Sequence, residues 1–441
     1  MIKKTKIDTI IKNGICVDHV SMHQLDIAVH KGKIIKVGNV SNFDASSTID
    51  AKGLHILPGA FDTQVHFREP GNTKKEDLKS GSKAAIAGGI TTVFDMPNNK
   101  PSITKKSLFS KKLSLAKNRM HCNYAFYFGA EKNNIAEIKK VEKLDGCCGV
   151  KVFVGSSTGT LLVSNYDDIK RIMKNTKKMI SFHSEDEDEI IKRKKFIKDR
   201  DPRSHSIWRN IDVALKSTKK LINLANLTKK KIHILHISTA DEAQLLNRNK
   251  KNVTYEVTPQ HLTLASPSCY NKIGTLAQMN PPIRSSKHRS ELRNSLKKGM
   301  IDIIGSDHAP HLLSEKKLRY PLSPSGMPGV QTLLPILLNE VSKKVISLHD
   351  VVKLTSYNPI KIFKVKNKGM LKKGYDADLT FVNLSKTKKI DNKLVQSKCG
   401  WTPFHGMKIT GWPIGTMIHG KKVFWNEKII GKPLGTPLKF N

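Results

Sequence analysis

Apolar residues in the middle of the chain form short runs that alternate with segments of helical spacing. Helical segments lie between several of the runs, for example at 75–87, 135–144, 211–225 and 289–298. Eight strands alternating with helices over about 300 residues predict an α/β fold, a (β/α)8 barrel. A doubly wound open sheet is the alternative, but no Gly-x-Gly-x-x-Gly turn follows the first strand. The eight runs lie at 61–67, 91–96, 123–128, 150–154, 179–183, 232–237, 253–257 and 302–306.

The two ends of the chain have a different pattern, with short β segments and no helical spacing. Predicted strands lie at 7–15, 24–30, 33–37 and 48–57, and again at 377–382, 408–409, 416–418 and 422–425. A chain of 441 residues is long enough for one large domain with an appendage. We therefore predict a barrel domain at 58–365, flanked by β-rich parts at 1–57 and 366–441.

Polar side chains occur where the predicted barrel strands end. Barrel enzymes build their sites from the carboxyl ends of these strands, so residues distant in sequence are expected to converge. Each side chain alone could be structural, but three histidines and a carboxylate together suit zinc or a similar divalent ion. His233 is predicted to be structural, because strand alternation puts it opposite His236. The candidate site residues are His66, Arg68, Asn98, Lys151, His183, His236, Asn280 and Asp307.

The composition narrows the classes of protein that remain. The chain carries 77 Lys+Arg against 37 Asp+Glu, a formal net charge of +40. Its lysines are spread along the whole chain without interleaved aromatics, which favours a solvated surface over nucleic-acid binding. No run approaches the roughly 20 apolar residues of a membrane span, and the first residues are too charged for a signal peptide. Six cysteines without a C-x-x-C pair indicate reduced thiols and a cytoplasmic protein.

Several ordered motifs resemble those of the class I dihydroorotases, within the cyclic amidohydrolase superfamily. Residues 62–71 read DTQVHFREPG, which is similar to the opening motif D-x-H-x-H-F-R-E-P-G of that family. Further similar blocks are GGITTV at 88–93 with MPN at 96–98, GVKVF at 149–153, NPPIR at 280–284, DHAPH at 307–311 and GYDADL at 374–379. The resemblance covers nearly the whole chain. It implies that both termini build one small β-sandwich domain beside the barrel.

The resemblance also implies a metal centre and a mechanism. One or two Zn²⁺ ions, or another divalent metal, would be bound. The first would be held by His66, Lys151 and Asp307, and the second by carboxylated Lys151, His183 and His236. Asp307 would be the catalytic residue, which takes a proton from a metal-bridging hydroxide as general base and returns it as general acid.

The substrate implied by the resemblance carries a carboxylate. Arg68, Asn98 and His311 would grip that carboxylate, because a guanidinium offers a planar fork that suits it. Asn280 would contact the ring amides, and a loop at 326–329 with Pro328 and Gly329 would close over them. The reaction implied is the reversible cyclisation of N-carbamoyl-L-aspartate to dihydroorotate in pyrimidine synthesis.

The chain departs from the family pattern at Gln64, where the family has the first histidine of H-x-H. An amide is a weaker zinc ligand than imidazole, so Gln64 is at most a weak ligand. Two alternatives therefore stay open: a cyclic amidase acting on hydantoins or allantoin, and a non-catalytic subunit that supports aspartate transcarbamoylase. Arg68, Asn98 and His311 count against the first alternative, and the intact lysine, histidines and aspartate count against the second. Expected partners are a small-molecule substrate, further copies of the chain and, in one reading, the transcarbamoylase.

Overall fold

The structure, a computed structural model, describes residues 4–441, and the chain begins with seven strands. A four-stranded sheet has the order β5-β4-β1-β6, in which β1 pairs with β4 antiparallel and with β6 in parallel. Ile11, Ile27 and Ile34 point from it into a small apolar core. The predicted strand at 48–57 is in fact two strands, because a turn at residues 51–54 separates them. The strands are β1 (Thr5–Lys12), β2 (Ile15–Val17), β3 (Met22–Gln24), β4 (Ile27–His30), β5 (Lys33–Val37), β6 (Phe43–Asp50) and β7 (His55–Pro58).

The next eight strands form one parallel sheet in which each strand neighbours its predecessor in the chain. Val65 pairs in parallel with His308, and the amide of His66 donates to the carbonyl of His308 at 2.8 Å. These contacts join the first strand to the segment after the last and close the sheet, which confirms the predicted barrel. Its strands are β8 (Ala60–Val65), β9 (Ile90–Asp95), β10 (Asn123–Gly129), β11 (Cys147–Phe153), β12 (Met179–His183), β13 (Ile232–Ile234), β14 (Val253–Val257) and β15 (Ile303–Ile304).

Helices surround the barrel and pack on its outward-facing side chains. Val150, Val152 and Ile180 of the strands share one large core with apolar residues of the helices. Local capping determines where helices begin, as where Asp77 accepts the Ser80 amide at 2.7 Å. The helices are α1 (Leu78–Ala87), α2 (Lys106–Ala116), α3 (Ile135–Val141), α4 (Tyr166–Asn175), α5 (Glu187–Lys192), α6 (Ser204–Trp208), α7 (Ile211–Thr228), α8 (Ala240–Asn247), α9 (Pro259–Thr263), α10 (Ser268–Ile273), α11 (Ser286–Lys297), α12 (Leu313–Lys316), α13 (Leu333–Ser342), α14 (Leu348–Val352) and α15 (Asn358–Phe363).

The last four strands complete a sheet that the first strands begin. This seven-stranded sheet has the order β19-β18-β17-β16-β7-β2-β3, and β16 pairs antiparallel with β7. Both ends of the chain therefore build β structure together, as expected. The two short strands predicted at 408–409 and 416–418 form one continuous strand, β17. The divisions at 57/58 and 365/366 stay a prediction. The strands are β16 (Leu379–Lys389), β17 (Lys408–Ile418), β18 (Lys421–Trp425) and β19 (Lys428–Ile429).

Candidate active site

A pocket at the carboxyl ends of the barrel strands gathers most of the predicted residues. They come from the ends of β8 and β12, from the interior of β11, and from the segments that follow β8, β9, β13, β14 and β15. The sequence separation is large, but parallel strands bring these ends to one face of the barrel. The predicted residues that line the pocket are Gln64, His66, Arg68, Asn98, Lys151, His183, His236, Asn280 and Asp307.

One cluster in this pocket joins His66 to Asp307. Nδ1 of His66 lies 2.7 Å from Oδ1 of Asn98, whose own amide donates to the Thr158 carbonyl at 2.8 Å. The Asn98 oxygen is therefore the acceptor, and Nδ1 of His66 carries the proton. Burial lowers the pKa of His66, so Nε2 presents a lone pair to Oδ1 of Asp307 at 3.1 Å. The Nε2 atom of His66 and the Oδ1 atom of Asp307 are thus two acceptors that face each other, and a cation bound between them would satisfy both.

A second cluster joins His183 to His236 beside Lys151. Nδ1 of His183 lies 3.1 Å from Nε2 of His236. Burial lowers the pKa of both imidazoles, so both are neutral, the form that binds metal. The Nζ atom of Lys151 is buried and has no hydrogen-bond partner among residues 4–441. Burial also lowers the pKa of Lys151 to about 7, which leaves a reactive neutral amine.

A buried ion pair lies behind His183 and fixes its ring. Nε2 of His183 is 3.0 Å from Oε2 of Glu185, and the same oxygen is 2.8 Å from the Arg209 guanidinium. Burial alone would raise the pKa of Glu185, but Arg209 and His183 lower it below its usual range. A carboxylate 3.0 Å from Nε2 favours the tautomer with the proton on that nitrogen, which leaves Nδ1 available as a ligand.

The donor set fits a divalent metal centre only if Lys151 takes part. Within residues 4–441, no three His, Cys, Asp or Glu side chains converge on one point. Each cluster offers two such side chains, and a carboxylated Lys151 would add an oxygen ligand to both. The unpartnered Nζ atom and the facing acceptors of His66 and Asp307 are the observations that support this fit.

The other end of the pocket is cationic. The Arg68 guanidinium is buried, donates to the Pro310 carbonyl at 3.2 Å and lies 3.3 Å from Nε2 of His311. Burial lowers the pKa of Arg68 to about 10, so it remains charged at neutral pH. In the described chain no carboxylate lies within 4.0 Å of it. A buried guanidinium without a carboxylate partner is a group that an anion from solution could pair with.

Three predicted substrate residues lie outside the pocket lining. His311 is behind Arg68, with Nε2 3.1 Å from the Ser325 carbonyl. Pro328 and Gly329 are buried, and the Gly329 amide donates to Nδ1 of His308 at 3.1 Å. Ser325 and Gly326 of the same loop line the pocket instead.

Sequence reasoning missed several lining residues, chiefly on the loop after β11. Ser157 and Thr158 lie there, and the Thr158 hydroxyl donates to the Ser325 carbonyl at 3.3 Å. Phe153, at the end of β11, also lines the pocket, and its ring lies 4.5 Å from Nζ of Lys151. The one available signal was the position of these residues directly after the strand that carries Lys151.

Strand alternation does not determine the positions of Arg68 and His236. β8 ends at Val65 and β13 at Ile234, so both residues lie beyond their strands. Each has a left-handed backbone, with φ of 57° at Arg68 and 38° at His236, and Asp307 has φ of 45°. Non-glycine residues rarely adopt this conformation, and it is concentrated at functional sites.

The alternation argument for His233 and His236 needs correction only at His236. Ile232 and Ile234 pack in the outer core, whereas Nε2 of His233 lies 3.3 Å from Glu256. Glu256 in turn accepts the Thr63 hydroxyl at 2.8 Å. Alternation along β13 therefore separates His233 from the two isoleucines, as expected. It does not set the direction of His236, which follows from the left-handed turn.

Comparison with known sequences identifies the family. A sequence model of the amidohydrolase family matches residues 55–423. A dihydroorotase of Methanosarcina acetivorans is 34% identical over 97% of this chain and 94% of its own length. A dihydroorotase of Pyrococcus furiosus is 36% identical over 93% of this chain and 91% of its own length. The chain belongs to the amidohydrolase family and, within it, to the dihydroorotases.

Solved structures agree on the fold. The L-hydantoinase (dihydropyrimidinase) of Arthrobacter aurescens superposes with a TM-score of 0.94 at 27% identity, over 98% of this chain and 100% of that protein. A dihydropyrimidinase of Brevibacillus agri superposes with a TM-score of 0.89 at 24% identity, over 97% of both chains. The second match concerns the fold alone.

Proposed function

We propose that this protein is a metal-dependent dihydroorotase, which interconverts N-carbamoyl-L-aspartate and (S)-dihydroorotate in pyrimidine synthesis. The observation that carries the proposal is the buried Arg68, which faces the pocket without a carboxylate partner among the described residues. Dihydroorotate brings that carboxylate, whereas unsubstituted dihydrouracil and hydantoin do not. The dihydroorotases that match over nearly the whole chain support the same choice.

The roles of the residues follow from their contacts. Asp307 would move a proton between the attacking water and the ring nitrogen whose bond to carbon breaks. Its Oδ1 contacts His66 and Gln64, whereas its Oδ2 has no hydrogen-bond partner in the described chain and is free for this transfer. Bound divalent ions, held by His66, Asp307, His183, His236 and carboxylated Lys151, would supply an activated water and polarise the carbonyl. Arg68, with His311 behind it, would orient the substrate, and Asn98 would fix the ring of His66.

The proposal includes the identity of the metal and the cellular compartment of the enzyme. Zn²⁺ suits the imidazole and carboxylate ligands, although other divalent ions also fit them. All six cysteines of the described chain are free and buried, which supports a reducing compartment such as the cytoplasm. None of the helices in residues 4–441 combines the length and apolar character needed to cross a membrane. Assembly into a homo-oligomer stays a prediction.

Substrate choice tests the proposed reaction. Purified protein should turn over dihydroorotate and carbamoyl aspartate, with little activity on dihydrouracil or hydantoin. Arg68→Ala should weaken substrate binding by about 2–5 kcal/mol, because it leaves the substrate carboxylate buried without its partner. Arg319→Ala, at an exposed arginine, is the matched control and should leave the kinetics unchanged. Equal activity on substrates that lack the carboxylate would overturn the assignment.

The second candidate is a hydantoinase, which the structural match to the L-hydantoinase favours. It predicts turnover of hydantoins that Arg68→Ala does not impair. A third outcome, a protein that is inactive on all these substrates with its metal sites filled, would support the non-catalytic role beside aspartate transcarbamoylase. One panel of substrates with metal analysis therefore separates the three functions.

A further inference from the structure

A second cavity, of about 900 Å³, opens at the end of the barrel opposite the candidate active site. Three strands, β12, β13 and β14, begin there with Met179, Ile232 and Val253, and these residues line it. The aromatic rings of Phe363 and Phe440 also line this cavity, which we call the basal cavity. Its volume lies within the range of small-molecule sites.

The charge of the basal cavity is far above that of the chain as a whole. Eleven of its 23 lining residues are lysine and one is acidic, whereas the chain has 77 Lys+Arg in 441 residues. The lysines come from α3 and α15, from the residues just after these two helices, and from the connections that precede β12, β13 and β14. Within residues 4–441, Lys250 is the one member of the set that pairs with a carboxylate, that of Asp302 at 2.5 Å. The other ten ammonium groups have no such partner.

Part of this charge is held in place by neutral groups. Lys178 donates to the Cys147 carbonyl at 2.7 Å, and Lys230 donates to the Thr176 carbonyl at 2.6 Å. The Glu142 carboxylate accepts the backbone amides of residues 177 and 178 at 2.8 and 2.7 Å. Carbonyl partners fix an ammonium group without cancelling its charge, so the cavity keeps a positive field.

The apolar residues narrow the class of anion. Nζ of Lys178 lies 4.2 Å from the centre of the Phe440 ring, so a cation and an aromatic face adjoin within one cavity. Aromatic rings stack on such faces, and lysines bind phosphates as point charges. We propose that the basal cavity binds a nucleoside polyphosphate, with its base against Phe440 and its phosphates among the lysines. A small ligand fits better than a nucleic-acid strand, because the lysines surround a cavity.

Direct binding to the full-length, metal-loaded protein tests this proposal. Titration calorimetry with ATP should show saturable binding of one molecule per chain that weakens as salt rises. Inorganic tripolyphosphate should bind more weakly, since it lacks the base. Phe440→Leu should lower the affinity for ATP and leave that for tripolyphosphate unchanged. No saturable binding of ATP, or tighter binding of a short single-stranded RNA than of ATP, would overturn the proposal.

Charge reversal separates the basal cavity from the general charge of the chain. The exposed Lys231 and Lys251 line it, whereas the exposed Lys372 and Lys373 do not. Lys231→Glu with Lys251→Glu should weaken ATP binding by about tenfold or more. The control pair, Lys372→Glu with Lys373→Glu, makes the same change in net charge and should leave the affinity unchanged. Equal losses in both pairs would show that overall charge alone attracts ATP.

Each variant must be shown to be folded before its affinity is read. All lie far from the candidate active site, so dihydroorotate turnover and circular dichroism should match the unmodified protein. If the glutamate pair fails to fold, Lys231→Ala with Lys251→Ala removes the charge more gently and carries the same expectation. Retained ATP affinity in that folded alanine pair would also contradict the basal site.

Discussion

Gln64 shows how a single side chain can change a metal centre. Its Nε2 donates to Oδ1 of Asp307 at 3.0 Å, and its Oε1 is buried without a hydrogen-bond partner among the described residues. An unsatisfied buried acceptor costs about 1–3 kcal/mol, which a bound cation near the amide oxygen would recover. The Gln64 amide therefore occupies one oxygen of the Asp307 carboxylate, and its own oxygen is only a weak metal ligand. The second cluster keeps both histidines.

We predict that the first metal binds more loosely than the second, and that Gln64→His tightens it. Imidazole is the better zinc ligand, and the two side chains are similar in bulk, so the fold should survive. Metal titration with a competing chelator should give two unequal affinities in the unmodified protein and closer ones in the variant. Gln24→His, at an exposed position on β3, is the control and should change neither. Two equally tight metals in the unmodified protein would refute the loose site.

Lys151 carries the second prediction at this scale. Because burial lowers the pKa of this amine, its neutral form can attack carbon dioxide and release a proton. The resulting carbamate would offer an oxygen to each metal. Lys151→Ala should abolish activity and lower the metal content, with partial rescue by short carboxylic acids. Lys372→Ala should show neither loss. An unmodified lysine in an active, metal-loaded protein, seen by crystallography or by mass analysis under native conditions, would contradict the carbamate.

At the scale of elements, the sequence predicted strands better than it predicted their ends. β12 and β14 have the predicted bounds, because their apolar runs coincide with the hydrogen-bonded part of each strand. β13 is shorter than predicted, since its backbone turns left-handed before the apolar run is over. Ser157 and Thr158, two of the missed pocket residues, lie in a loop and carry no periodic signal. Their positions depend on contacts with Asn98 and Ser325, which are distant in sequence.

The loop that follows the last barrel strand is held by a buried lysine. Lys316, at the end of α12, donates to the carbonyls of Gln278 and Pro324 at 3.0 and 2.8 Å. It has no carboxylate partner in the described chain, and burial lowers its pKa to about 7. Pro324 precedes Ser325 and Gly326, which line the pocket, so this amine fixes one wall of the site.

Lys316 should make stability rise with pH. Its pKa is about 7 in the folded state and near 10.5 in the unfolded chain, so the unfolded state binds more protons between these values. The free energy of unfolding should therefore increase from pH 7 towards 10.5 relative to Lys316→Met, by on the order of 3–5 kcal/mol. Urea unfolding of both proteins across this range measures the difference. Lys372→Met, at an exposed lysine, should show no such trend, and a flat difference for Lys316→Met would contradict the prediction.

At the scale of the whole molecule, one buried carboxylate connects the barrel to the terminal sheets. Asp378 precedes β16, and its Oδ2 accepts from Asn123 of the barrel at 2.8 Å and from Lys368 at 2.6 Å. Its Oδ1 accepts the His419 amide at 2.8 Å, and its carbonyl accepts the Gly59 amide at 2.8 Å. The side chain is buried, so these contacts are shielded from water and from salt. The two parts of the fold are thus joined by a charge-assisted network.

Asp378→Asn should therefore destabilise the barrel and the terminal sheets together. The substitution keeps the shape but removes the charge, and Lys368 retains Asp376 at 2.6 Å as a second partner. A cost of about 2–4 kcal/mol is expected, at the lower end of that for a broken buried ion pair. Urea unfolding followed by tryptophan fluorescence and by circular dichroism should give one transition at a lower midpoint. Asp376→Asn is the control, since the Asp376 carboxylate pairs with Lys33 and Lys368 and makes no hydrogen bond to the barrel among the described residues. Its effect should be smaller. A barrel transition that stays at its original midpoint, while the β sheets unfold earlier, would show that Asp378 does not couple the two.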